Sequence, residues 1–329
     1  MNVIYVVVAH QCPHQVSRLI RGLRSANSHF YLQVDCSEDD FPKWQSVIGQ
    51  DERIHLKRVF EVKWGGVEFV KVVLDAATLA ARDHKQGCVV LLSGQDYPIK
   101  PRVWIEDFLT RHRYVTFMEC EPYPVKFWFD GGRSRWFDYT LFNSARRKDY
   151  LAVPPLLSGA FGFREHAVPM VRKFGFWGAI RKLKAIMMPR RWPKDLRLAG
   201  GSAWWIMPLD NLRFICEKVR TNPRLLSRYS FSLLPDELFF HTCFQTFRND
   251  LPHKELRSSL TWVDWSVCDQ GSPKDLDEGD LDGMRHLPHL FARKMHFDKS
   301  AKLMDAIDAL MTSYPESLAD ADSWIIGGS

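Results

Sequence analysis

The stretch Cys88-Val-Val-Leu-Leu-Ser-Gly-Gln-Asp-Tyr-Pro-Ile-Lys100 constrains the fold more than any other part of the 329-residue chain. The five apolar residues Cys88 to Leu92 are too few for a helix and suit a strand buried on both faces. The run stops at Ser93-Gly94-Gln95-Asp96, and Pro98 keeps the strand from continuing. A buried parallel strand that ends in small and acidic residues has the layout of an α/β ligand site. In open α/β sheets, ligands bind beyond the carboxyl ends of the strands. From position alone, Asp96 serves equally well as a turn carboxylate that accepts backbone N–H groups.

The start of the chain has the same character. Val3 to Ala9 is a β-branched run that reads as a central parallel strand, and Pro13 follows it near the start of a helix. Val16, Leu19, Ile20 and Leu23 recur at helical spacing. Phe30 to Val34 is a second strand ending at Asp35, which completes a βαβ unit. Neither G-x-G-x-x-G nor G-x-x-x-x-G-K-[ST] is present, which argues against the usual dinucleotide and P-loop folds. Asp35 suits a nucleoside or a loop cap equally. Further on, the residues predict a strand at 53–59, the turn Lys63-Trp-Gly-Gly66, a helix over Val67–Asp83 and a helix over 103–109. Tyr114 to Glu119 reads as a strand, Ala199 to Met207 as a glycine turn running into a strand, and 209–220 as a helix. Pro235 begins another helix with Asp236 and Glu237 at its positive end, 260–265 is a strand, and 290–295 leads into a helix ending near residue 314. No repeat or low-complexity linker appears, so 1–315 reads as one domain, with a nucleotide-binding half to about 120, a catalytic half beyond it, and a loose tail over 316–329.

Composition narrows the class. An apolar fraction of 46% suits a soluble globular protein, and a net charge of +6 suits an anionic ligand but not nucleic acid. Cysteines 12, 36, 88, 120, 216, 243 and 268 are scattered and odd in number, so the expectation is a reducing cytoplasm without a disulfide framework. No signal peptide is visible, and no segment approaches the roughly 18 to 20 apolar residues that span a bilayer. Residues 122–155 break into aromatics and arginines, among them Arg133 and Arg135, and look like a ligand-facing excursion. Residues 172–197 carry nine Lys/Arg and one acid, interleaved with aromatic and aliphatic residues. That pattern fits either a basic amphipathic helix on an anionic membrane or a solvated helix with one packed face.

The chemistry-bearing residues are few. Asp280-x-Asp282 and Asp320-x-Asp322 have metal-site spacing, but both lie late in the chain and read as solvated surface, so no metal site is expected. Glu237 follows Pro235 and precedes Phe239 and Phe240. A carboxylate so placed suits a general base in a cleft, or simple charge complementarity with the helix end.

Seven motifs, in order, carry a resemblance. They are Tyr5-Val-Val-Val-Ala-His10, Leu32-Gln-Val-Asp35, Trp64-Gly-Gly66, Leu91 to Lys100, Gly201-Ser-Ala-Trp-Trp205, Pro235-Asp-Glu-Leu-Phe-Phe240 and Leu290-Phe-Ala-Arg-Lys294. Together they resemble the core-2/I-branching β-1,6-N-acetylglucosaminyltransferase and peptide xylosyltransferase family. The resemblance implies a GT-A type α/β fold with a mostly parallel sheet and a UDP-sugar donor. It also implies inversion at the anomeric carbon, a glycan or glycolipid acceptor, and catalysis with neither metal nor cofactor. By similarity, Glu237 is the base, and Arg257 and Lys294 neutralise the departing diphosphate. His10, Asp35, Trp64, Gly65, Ser93, Asp96 and Ser202 shape the donor site, and Arg133 or Arg135 binds acceptor. Animal members carry an anchor, a stem and disulfides, so this chain resembles a soluble bacterial-type member acting in the cytoplasm on a surface-glycan precursor, with 172–197 as a membrane contact. The alternatives are xylosyl specificity within the family and a non-catalytic sugar-nucleotide or glycan binder.

Overall fold

In the computed structural model, which describes residues 1–158, 163–267 and 272–313, Val3–Ala9 forms strand β1 with all seven side chains buried. Val3, Tyr5 and Val7 enter one hydrophobic cluster, and Ile4, Val6 and Val8 enter another. A strand that alternates between two apolar layers lies at the centre of a sheet covered on both faces. Around it come α1 (Pro13–Leu23), β2 (Ser28–Asp35), α2 (Phe41–Ile48), β3 (Ile54–Val59), α3 (Val67–Asp83) and β4 (Cys88–Ser93). Next are α4 (Arg102–Arg111), β5 (Val115–Phe117), β6 (Ile206–Pro208), α5 (Leu209–Thr221) and β7 (Glu255–Arg257).

The seven strands lie in the order β7-β5-β6-β4-β1-β2-β3. Only β6 runs antiparallel to its neighbours β4 and β5; the other pairings are parallel. Helices α1, α2 and α4 cover one face, and α3 and α5 cover the other. This layered, mostly parallel α/β arrangement is the GT-A type fold expected from the motifs. β1 is bordered by β2 on one side and β4 on the other, so the strand order reverses there. A crevice opens at such a reversal beyond the carboxyl ends of the strands.

A three-stranded sheet of Thr261–Val263, Phe291–Arg293 and Tyr97–Pro98 docks the C-terminal part of the chain onto the loop after β4. Gln15, fully buried on α1, fixes this junction by donating to the carbonyls of Gly94 (2.9 Å) and Met295 (3.1 Å). The excursion forms the hairpin Tyr139–Phe142 and Tyr150–Val153, and the helix Phe163–Leu183 comes after it.

Some expected elements differ. The chain around Pro235 is a 3-10 turn, Pro235–Glu237, separated from the helix Phe239–Phe247 by Leu238, whose φ of −122° interrupts the helix. Glu237 therefore does not sit in the first turn of an α-helix. Arg257 belongs to an edge strand of the main sheet, and α2 was not expected. The expected helix end at 314 and the tail 316–329 lie outside the described residues, as do Asp320 and Asp322.

Candidate active site

The carboxyl ends of the parallel strands converge on one cavity of about 1640 Å³. Typical small-ligand sites are roughly 300–1,000 Å³, so this cavity exceeds what one small ligand needs. β1 delivers His10 to its wall, β2 delivers Asp35, β4 delivers Ser93, β5 delivers Glu119 and β7 delivers Arg257.

On one side, Asp35 Oδ2 accepts the Val62 N–H at 3.2 Å. Burial pushes the Asp35 carboxyl up and the His10 imidazole down, while His10 feels opposing pulls from Asp35 and Lys294. Trp64 stacks with Tyr150, with centroids 6.4 Å apart, and Arg147 lies over its ring. Gly65 adopts φ +73°, where a side chain would be strained, and its carbonyl accepts the Leu234 N–H at 2.9 Å. The Trp64-Gly65 turn thus ties this wall to the segment that carries Glu237.

Glu237 is held by a short chain of packing. Arg135 Nη1 donates to Glu237 Oε2, and the Arg135 guanidinium lies 3.9 Å over the Trp128 ring. Trp128 lies in turn against Gly200, where a Cβ would come within 2.3 Å of its ring. Gly201 N donates to the Glu237 carbonyl at 3.0 Å, and a Cβ on Gly201 would fall 1.9 Å from the Glu119 carbonyl. Only glycines allow this approach. Ser202 follows; its N–H is accepted by Glu119 Oε2 at 3.0 Å, and its carbonyl lies 3.0 Å from Nε2 of the buried His241. Burial raises the Glu119 carboxyl, and the charge of Glu237 adds to that rise.

Beneath Glu237 lies a buried charge cluster. Asp96 is completely buried and does not line the cavity; its Oδ2 accepts the Ser93 N–H and its Oδ1 lies 3.4 Å from Arg293 Nε. Asp96 thus acts as a turn carboxylate that holds the loop under the cavity floor. Arg293 spreads over Trp204, with Cζ 4.1 Å from the ring centroid, and its charge also acts on Asp236 and Glu237. Burial raises the Asp236 carboxyl, and the adjacent Glu237 charge raises it further.

Arg257 and Lys294 both line the cavity. Arg257 Nε donates to Glu255 Oε1 at 2.8 Å, so its guanidinium is tethered along the strand. Burial lowers the Lys294 ammonium pKa while Asp275 opposes that shift. The two candidate acceptor arginines separate: Arg135 lines the cavity, whereas Arg133 is outside it, half exposed and 3.6 Å from Asp138. Of the two alternatives, Arg135 is the one on the cavity wall. Asp280 serves a helix cap instead, accepting the Asp277 N–H at 2.9 Å and Lys274 Nζ at 2.6 Å. Among the described residues, no group of three or more His, Cys, Asp or Glu side chains is arranged to hold a metal ion. The six described cysteines are free.

A family model described as "Core-2/I-Branching enzyme" matches residues 3–285, which takes in every strand of the main sheet. The chain belongs to the core-2/I-branching enzyme family. This is a family of glycosyltransferases. Xylosyltransferase 1 of Homo sapiens is 23% identical over 345 residues, covering 96% of this chain and 31% of that protein. Xylosyltransferase 2 of Homo sapiens is 23% identical over 342 residues, covering 96% and 34%. Xylosyltransferase sqv-6 of Caenorhabditis elegans is 24% identical over 259 residues, covering 76% and 27%. The chain spans about a third of the length of these curated relatives. Among solved structures, mannose-6-phosphate isomerase from Helicobacter pylori superposes over 69% of this chain and 78% of that one, with 10% identity and a TM-score of 0.30, too low to bear on fold or chemistry.

In this core-2/I-branching chain, three residues of the site went unassigned by sequence reasoning. Arg293 stands beside Lys294 in the Phe-Ala-Arg-Lys motif, Asp236 stands beside Glu237, and Glu119 ends a strand as Asp35 does. Their motifs were visible, but that both neighbours of each pair reach the cavity depends on the packing.

Proposed function

We propose that this core-2/I-branching family member is an inverting glycosyltransferase that moves a sugar from a UDP donor to a hydroxyl of a glycan or glycolipid acceptor. The observation that carries the reading is the placement of Glu237 on the same cavity as His10 and Asp35 on one side and Arg257 and Lys294 on another. Transfer is a single displacement. Glu237 takes the acceptor proton as the acceptor oxygen bonds to donor C1, and the C1–O bond to the diphosphate breaks with its electron pair leaving on UDP. Arg257 and Lys294 stabilise the charge that develops there, the role a metal ion fills in other transferases. Trp64, Trp128 and Trp262 on the cavity wall offer faces for sugar or base stacking.

N-acetylglucosamine is the donor sugar implied by the branching members of the family. The names of the xylosyltransferase relatives support a second reading, UDP-xylose. A donor screen that follows UDP release, with and without EDTA, tests the proposal. Release from one of these donors, stimulated by acceptor glycans and unchanged by EDTA, is expected. Loss of release in EDTA would overturn the metal-free displacement, and UDP binding without release from any donor would favour a binding protein.

A further inference from the structure

The helix Phe163–Leu183 is broken at Gly175, whose φ of +70° turns the chain before Phe176. The eight-residue arm that follows, Phe176–Leu183, carries apolar residues on its outward face as well as on its packed one. Ala179 and, just beyond the arm, Ile186 are buried against Tyr139, Leu141 and Val153. Phe176, Trp177 and Ile180 point outward, with Phe176 61% and Trp177 73% exposed, and Arg181 and Lys184 share that face. The spacing i, i+1, i+4, i+5, i+8 is one side of a helix. Met188 extends the apolar patch and is also exposed. A solvated face would carry polar groups at 176, 177 and 180 as well.

Charge selects what covers it. From residue 167 to 194 the chain has eight Lys/Arg and no Asp or Glu. Three of the eight are used internally: Lys173 pairs with Asp149 at 2.5 Å, Lys182 donates to the Phe142 carbonyl, and Arg190 donates to the carbonyls of Asp138 and Arg228. Arg172, Arg181, Lys184, Arg191 and Lys194 remain exposed. Two copies meeting through this face would bring like charges together, which disfavours self-association. Outward aromatics beside Arg and Lys match the interface of an anionic bilayer, where rings sit at headgroup depth and cations meet lipid phosphates.

We infer that the Phe176–Leu183 arm and its exposed basic neighbours form a docking surface for an anionic lipid bilayer. The arm joins the cavity through the hairpin, because Lys182 donates to the Phe142 carbonyl, Phe142 packs on Tyr150, and Tyr150 stacks on Trp64 of the cavity wall. That a docked enzyme meets a lipid-borne acceptor rests on the transferase reading; the docking itself does not.

Flotation of the full chain with phosphatidylcholine vesicles, with and without phosphatidylglycerol, tests the inference at low and high salt. Binding to the phosphatidylglycerol vesicles, weak binding to phosphatidylcholine alone and release by salt are expected. Replacing both Arg181 and Lys184 by Ser should weaken partition about 30-fold, from the effect of two surface charges. Replacing both Phe176 and Trp177 by Ser should weaken it at least about tenfold through lost apolar burial. UDP binding is read in the same samples, and its retention shows that each variant is folded and separates this test from the transfer chemistry. No binding of the unmodified chain to phosphatidylglycerol vesicles would overturn the inference. Variants that float like the unmodified chain would also overturn it, as would a salt-insensitive dimer abolished by replacing Trp177.

Discussion

Arg135 donates to the Glu237 carboxylate while its guanidinium lies 3.9 Å over the Trp128 ring, so one side chain both orients the proposed base and is itself clamped. Arg135→Ala is expected to lower kcat about 100-fold with little change in UDP affinity, because the carboxylate loses its orienting partner. Lys at this position should not restore activity, since an ammonium cannot lie flat on Trp128. Steady-state kinetics with UDP binding measured in parallel checks this. Unchanged kcat would show that Glu237 needs no such support.

The two glycines beside the base are equally constrained. Gly201→Ala would place a methyl 1.9 Å from the Glu119 carbonyl, and Gly200→Ala would drive one into Trp128. Backbone yields less readily than a side chain end, so the Gly201 variant should be the worse of the two. A stability loss of about 1–3 kcal/mol or more is expected for it, together with loss of turnover. Denaturant unfolding of both variants checks the order.

The Asp96–Arg293 pair is buried, and breaking one partner of such a pair costs about 3–5 kcal/mol because the other charge is left stranded. Asp96→Asn should therefore destabilise strongly even though Asp96 does not touch the cavity. Replacing Arg293 by Met as well should recover part of the loss. A double-mutant cycle in denaturant measures the coupling, and strictly additive effects would contradict the pairing.

His241 sits under Ser202, and burial drops its pKa to about 4 from an ordinary 6.5. The unfolded chain therefore binds a proton here that the folded chain refuses. The contribution, about 3 kcal/mol, is fully present above pH about 6.5 and is lost as pH falls toward about 4. His289, lowered to about 4 by burial with Lys100 nearby, acts in the same sense. Stability should fall over this window in the parent chain. The decline should be shallower in a His241→Gln variant, and an identical decline would remove His241 as the cause.

Much of the nucleotide-side architecture was legible before the structure. β1, α3 and β4 are long or wholly apolar runs whose partners lie within the same βα units, so local pattern and final burial agree. β7 was not legible, because Glu255 and Arg257 are exposed on an edge strand and carry no apolar alternation. α2 starts at Phe41-Pro42 and buries only Trp44, too little to read as a helical face. Glu237 was singled out, but its holder was not, because Arg135 lies 102 residues earlier in an irregular excursion. For Asp96 the sequence left two readings open, because a carboxylate at a strand end faces either the ligand or the core, and here Arg293 from a distant strand draws it inward. The outward aromatics of 176–180 were likewise invisible as such, since helical spacing does not say which face is packed.

Glu237→Gln tests the proposed chemistry most directly. The amide keeps the size of the side chain but cannot accept the acceptor proton, so UDP binding should be unchanged while acceptor-dependent UDP release falls at least about 100-fold. Turnover equal to that of the parent enzyme, with UDP binding intact, would mean that Glu237 is not the base.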